Sequence, residues 1–156
     1  VVGLEHDVSV WLSSSSPFLA ERPMYFDYGG TNAWGWTGGH CVIGATASAQ
    51  EWFFAEGYTG TGFEEWLCIQ NPGDSRVEIS ITYFPEGGVP ITKDPFTVAA
   101  NSRHTVLVNR EEEAGPGLPI SAMVYADQDI IVERPTYFTY GPSGWTGGHD
   151  VVGFAP

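Results

Sequence analysis

The hexapeptide GWTGGH stands twice in this chain, at 35–40 and again at 144–149, each time after an ERP tripeptide and a YF-x-YG run. Laying residues 7–29 over 119–141 at a constant offset of 112 (119 minus 7) makes Ser, Glu, Arg, Pro, Tyr, Phe, Tyr and Gly coincide. After a three-residue insertion in the first copy the match resumes, with GWTGGHCVIG (35–44) over GWTGGHDVVG (144–153). Self-similarity of this kind means that one supersecondary unit has been used again. The chain therefore reads as the closing part of one repeat, residues 1–47, followed by a complete repeat, residues 48–156. With 156 residues there is room for one domain with a sizeable core and a fragment of another, not for two full-size domains.

The complete repeat has the texture of an antiparallel β-sandwich. Strand-like runs are separated by turn residues at short intervals: EWFFAEG, EEWLCIQN, RVEISITYF, ITKDPFTVAA, SRHTVLVN, PISAMVYA and IIVERPTYFTY. No helical period is sustained, and 20 Gly and 11 Pro supply turns. Alternation is clearest in RVEISITYF, where Val77, Ile79, Ile81 and Tyr83 share one face while Glu78, Ser80 and Thr82 share the other. NPGD (71–74) and PEGG (85–88) carry the Asn-Pro and Gly chemistry of tight turns. Pro23 and Pro135 fall inside strand-like runs, and a residue without an N–H is expected at an edge, a bulge or a strand start. The predicted fold class is all-β, an immunoglobulin-like antiparallel sandwich in tandem repeat.

Residues 1–47 hold only the counterparts of the last two strands and the Gly-rich tail. Two strands bury no core alone. They are expected to pair with upstream sequence, with the complete domain of this chain, or with a neighbouring subunit.

The stretches EWFFAEGYTGTGFEEWLCIQNPGDSRVEISITYFPEGG, TVAANSRHTVLVN, ISAMVYADQDIIVERPTYFTY and GWTGGHDVVG resemble the tandem β-sandwich repeats of long secreted or surface proteins of bacteria, Actinobacteria and Chloroflexi among them. The resemblance spans residues 49–153 and, through the closing motifs, most of 1–47. It implies an extracellular, structural or adhesive role and brings no catalytic residues with it.

Charge narrows the partners. Nineteen acidic residues against six basic ones give a formal charge of −13, and Lys93 is the one lysine. Such a surface repels phosphate backbones, so nucleic acid is not expected as a partner. It favours solubility and could collect calcium loosely; no cofactor is otherwise implied. No apolar run approaches the length of a membrane span. A first residue of Val1 suggests a processed or excised piece of a longer product.

The GWTGGH tail follows the last strand of its repeat, and His40 stands close before Glu51, where the next repeat opens. This spacing predicts a packed inter-domain joint built from Trp36, His40, Trp145, His149, Trp52 and Glu56. The glycines would admit close backbone approach, and both histidines would be hydrogen-bonded fixtures. Glu56 and Asp150 stand near the histidines but lack any recognised ligand spacing, so no metal site is assigned. Cys41 takes the place of Asp150 in the first copy, and Cys68 lies in a predicted strand. A bridge between them would close 27 residues (68 minus 41) and stabilise by roughly 3 kcal/mol.

Enzymatic motifs are missing. The carboxylate pairs Glu64 with Glu65, Glu111 to Glu113 and Asp127 with Asp129 show no convergence, since neighbours on a strand point to opposite faces. No serine has nucleophile-elbow context and GYTGTG (57–62) lacks phosphate-cradle spacing. Exposed aromatics could stack on sugars, with Trp34 and Tyr28 as the candidate platform. The expectation is a non-enzymatic extracellular module of a surface filament, stalk or layer. Its partners would be copies of itself or adjacent repeats. The alternative is a carbohydrate-binding adhesin module recognising surface glycans.

Overall fold

A computed structural model describes residues 6–27, 38–140 and 145–156, with backbone alone for Tyr140 and Trp145. Trp34, Trp36 and Tyr28 lie outside the described residues.

The described chain is all-β, with every pairing antiparallel. Its strands are β1 (Glu21–Phe26), β2 (Gly38–Ile43), β3 (Ala49–Phe54), β4 (Phe63–Asn71), β5 (Val77–Pro85), β6 (Ile91–Thr92), β7 (Phe96–Val98), β8 (Ser102–Leu107), β9 (Ile120–Tyr140) and β10 (Trp145–Val152). The 21-residue β9 organises the rest. Its first half runs between β3 and β5, which carries β6 and β7, while its second half runs between β4 and β10, with β8 beyond β4. Sequence patterning predicts two strands here, at 119–126 and 130–140. The chain instead continues through Asp127–Asp129 and changes neighbours there, because both of its halves need partners on both sides.

Side chains from the two layers meet in one core. The alternation of RVEISITYF holds, with Val77, Ile79, Ile81 and Tyr83 buried against Leu67, Ile69, Val124, Ile130 and Val132. At roughly 25 cal/mol per Å² this apolar burial is the main favourable term for folding. The expected single strand over 91–100 is two short ones, split around Pro95, which has no N–H for a ladder.

Two turns behave as their residues dictate. Asn71 is buried; its Oδ1 accepts from the Gly73 N–H at 2.9 Å, and its Nδ2 donates to the Ser75 carbonyl at 2.8 Å and the Ala99 carbonyl at 2.9 Å. Gly87 has φ of 68°, the left-handed region the β5–β6 connection requires. Pro135 corrects the edge expectation: it sits in a strand flanked on both sides. The β4 ladder lapses opposite it, running through Glu65↔Thr136 and resuming at Cys68↔Glu133.

GWTGGH is a second correction. The motif is not a tail after the last strand: Gly38–His40 open β2, and Trp145–His149 belong to β10. Glycines are poor strand formers alone, and the reason for them is the contact described next.

Candidate functional site: the stacked hairpins

The two copies of the motif form hairpins of the same register. In the first, Glu21 faces Ile43, Pro23 faces Cys41, Met24 faces His40 and Phe26 faces Gly38. In the second, at the matching positions, Glu133 faces Val152, Pro135 faces Asp150, Thr136 faces His149 and Phe138 faces Gly147. The first hairpin lies over the outer face of the second, on the side of that layer turned away from the core.

Alternation decides what meets. β1 and β2 turn Arg22, Met24, Phe26, Gly38, His40 and Val42 toward the sandwich and leave Glu21, Pro23, Tyr25, Gly39, Cys41 and Ile43 outward and exposed, Gly39 against the Tyr25 ring. The Phe26 ring meets Tyr137 edge-on, centroids 4.9 Å apart. Tyr137 also donates its hydroxyl to Met24 Sδ at 3.3 Å. A Cβ on Gly148 would come within 3.0 Å of the Phe26 ring, and one on Gly38 within 3.1 Å of the Gly147 Cα. The glycines of the motif are the flat ground on which an aromatic ring and a second backbone come to rest.

One cation ties the layers. Arg22 Nη2 reaches Glu133 Oε2 at 3.0 Å and Asp150 Oδ2 at 2.5 Å. The Asp150 side chain is fully buried, and its Oδ1 has no hydrogen-bond partner. Burial, with the neighbouring Glu133 charge, pushes its carboxyl up to about 6 despite the Arg22 guanidinium.

His40 overturns the expectation of a hydrogen-bonded fixture. Its ring packs 6.0 Å from Phe26 and 5.8 Å from Tyr137, and both ring nitrogens are buried without partners. Burial, then the charge of Arg22, lowers its pKa, so the ring serves as a neutral aromatic surface. His149 is exposed and likewise lowered by burial and by Arg134. Trp52 is a core residue whose Nε1 donates to the Ala49 and Ile130 carbonyls at 3.1 and 3.0 Å. Glu56 is exposed, and Trp145 contributes backbone pairing with Tyr140. The end of β10 also closes on its own sandwich, since Gly153 admits the Trp52 and Phe54 rings and Phe154 exchanges backbone hydrogen bonds with Phe53.

The disulfide is absent: Cys41 and Cys68 are free thiols. The odd-even parity of β2 is the cause. Val42 faces the sandwich, so Cys41 points to solvent, whereas Cys68 lies half-buried beneath the hairpin and lines a groove of about 200 Å³ with Val42, Arg22 and Glu133.

A second polar cluster, which the sequence reading missed, sits inside one end of the sandwich. Glu65 is buried, its Oε2 accepting from the Tyr58 N–H at 2.7 Å while its own N–H donates to Asn109 Oδ1 at 2.8 Å. Burial pushes its carboxyl up to about 7 even though the Arg134 charge favours ionisation. Arg134 is itself buried, with its guanidinium carbon 5.9 Å over the Phe54 ring and Nε without a partner. A core-parity Glu in a strand whose other inward residues are Leu67, Ile69 and Asn71 is the signal that could have found it.

Among the described residues, no group of three or more His, Cys, Asp or Glu is arranged to hold a metal ion. No described helix is long and apolar enough to cross a membrane.

No protein-family model matches the sequence, and neither does any curated protein. Solved structures do. The crystal structure of the Thermotoga maritima 1070 protein is similar with a TM-score of 0.62 at 21% identity, covering 70% of this chain and 96% of that one. The Anabaena sensory rhodopsin transducer is similar with a TM-score of 0.50 at 22% identity, covering 58% of this chain and 91% of its own. At such identities the likeness shows the fold alone.

Proposed function

We propose that this chain is a non-enzymatic module of an extracellular filament, stalk or layer, in which immunoglobulin-like sandwiches repeat in tandem and stack through their closing hairpins. The observation that carries the reading is the relation between the two hairpins: the inner face of the first rests on the outer face of the second, in matching register. Such a contact uses two different patches, so between repeats it is heterologous. The outer face of β1–β2 repeats much of the chemistry that receives a hairpin on β9–β10, with Glu21 for Glu133, Tyr25 for Tyr137, Gly39 for Gly148 and Ile43 for Val152. The work of the module is mechanical: a glycine floor and aromatic rings hold successive layers in place, and the Arg22 ion cluster pins together the two hairpins of this chain. Copies of this repeat are its partners.

Negative-stain electron microscopy of the native material, with sedimentation over a range of concentrations, tests this. Ordered fibres whose mass grows with concentration are expected, unchanged by reducing agent because both thiols are free. Discrete particles of one size at every concentration would overturn it.

A further inference from the structure

Arg134 is a buried cation without an anion. It is 5% exposed, its Nε is buried with no partner, and no hydrogen bond or ion pair ties its guanidinium to any described residue. The Phe54 ring, 5.9 Å from the guanidinium carbon, supplies a cation–π contact and leaves the N–H donors unspent. Arg22, Arg103 and Arg110, all more exposed, each reach a carboxylate. A desolvated charge is costly unless an opposite charge and hydrogen bonds satisfy it, so the arginine that most needs a counter-ion is the one that lacks it.

Glu65 is held away from that role. Its Oε2 accepts from the Tyr58 N–H at 2.7 Å, and Gly57 lies so close over the carboxyl that a Cβ there would fall on both oxygens. The ladder meanwhile gathers other donors beside Arg134. His149 faces Thr136 and Thr136 faces Glu65, and Arg134, two residues from Thr136 along β9, shares their inward face. Thr136 is 5% exposed, and its hydroxyl makes no hydrogen bond to a described residue. His149 belongs to the core side of the sheet and is nonetheless exposed, so the sandwich is open to solvent along β10 at this point. Burial and then the charge of Arg134 lower the His149 pKa, and the same charge opposes the burial that raises Glu65, which puts the guanidinium within electrostatic reach of both.

We infer that Arg134, Thr136 and His149 form a binding site for a small monovalent carboxylate, entered from the β10 edge beside His149. The guanidinium fork takes two oxygens side by side, and the Thr136 hydroxyl and the His149 ring N–H complete the set of donors. Glu56, whose charge is felt at His149, and a formal charge of −13 set the valence: a dianion such as phosphate is repelled about twice as strongly as a monoanion. The site lies within the complete repeat and does not depend on the filament reading.

The test titrates the whole chain with sodium acetate at neutral pH and constant ionic strength, sodium chloride making up the balance, and follows amide and arginine Nε–H resonances. Saturable shifts are expected at Arg134, Thr136 and His149, together with a Tm that rises with acetate and not with chloride. Thr136→Val keeps the outline of the side chain, removes the hydroxyl and should weaken acetate binding about tenfold. Arg134→Met should abolish the shifts and, carrying no desolvated charge, should be at least as stable as the parent in acetate-free buffer. Should Arg134→Met fail to fold, Thr136→Val and a parallel titration with inorganic phosphate decide the matter. Shifts that do not saturate, acetate binding unchanged in Thr136→Val, or phosphate bound more tightly than acetate would each overturn the assignment.

Discussion

Arg22 of the first hairpin and Asp150 of the second meet at 2.5 Å across the layer boundary, and the position matching Asp150 in the first hairpin is Cys41, turned to solvent. The ion pair is thus written once, at the interface that exists within the chain. The outward face of the first hairpin keeps the glutamate of the pair, Glu21, but not the aspartate.

Removing the cation should cost more than removing the pair. Arg22→Ala leaves Asp150 buried beside Glu133 with no counter-charge, and the expected loss is about 1–3 kcal/mol by urea unfolding. Asp150→Asn in the same background should restore part of it, so that the double-mutant cycle shows coupling between residues 128 apart (150 minus 22) in sequence. Additive losses would mean that the contact contributes nothing.

Gly148→Ala should lift the first hairpin without unfolding the sandwich. The new methyl would sit 3.0 Å from both the Phe26 ring and the Thr136 carbonyl oxygen, the latter being backbone that cannot step aside. Overpacking of this kind costs about 1–3 kcal/mol. Amide exchange in β1 and β2 is expected to accelerate while β5 is unchanged. Gly44→Ala is the control, since a Cβ there meets nothing within 4 Å.

The two thiols should differ in reactivity. Cys41 is exposed and should label rapidly with a maleimide at neutral pH. Cys68 is half-buried, and burial pushes its thiol up, so it should label slowly until the hairpin is lifted, as in Gly148→Ala. Equal rates in the parent chain would contradict the placement of Cys68 under the hairpin.

Acid should stabilise this fold through Glu65. Its folded pKa of about 7 lies above the ordinary carboxylate value, so its contribution is fully present below about pH 4 and is lost as pH rises through 7. From pH 8 down to pH 4 the gain is on the order of 3 kcal/mol. Asp150, raised to about 6, acts with the same sign, and His40, lowered, acts against both. Glu65→Gln should flatten the stability profile in this window; an unchanged slope would show that the Glu65 carboxyl is ionised in the fold.

What the sequence determined by itself was what local parity and repetition encode. The alternation of Val77, Ile79, Ile81 and Tyr83 named the buried face of β5, Asn71 and Gly87 named their turns, and the offset between the motif copies carried over to two hairpins of one register. These are properties of neighbouring residues, because side-chain direction in a strand and the φ a turn needs do not depend on what lies across the sheet. Only the tertiary structure decided which face met which. Glycines marked GWTGGH as a loop, and the close approach of the Phe26 ring and a second backbone makes it strand. Cys41 and Cys68 looked like partners, and the side of β2 that docks separates them. Glu65 has the residue type of a solvated surface and the parity of a core, and burial against Arg134 became visible once β9 lay beside β4. Each of these outcomes depends on contacts between residues far apart in sequence, which local parity and spacing do not specify.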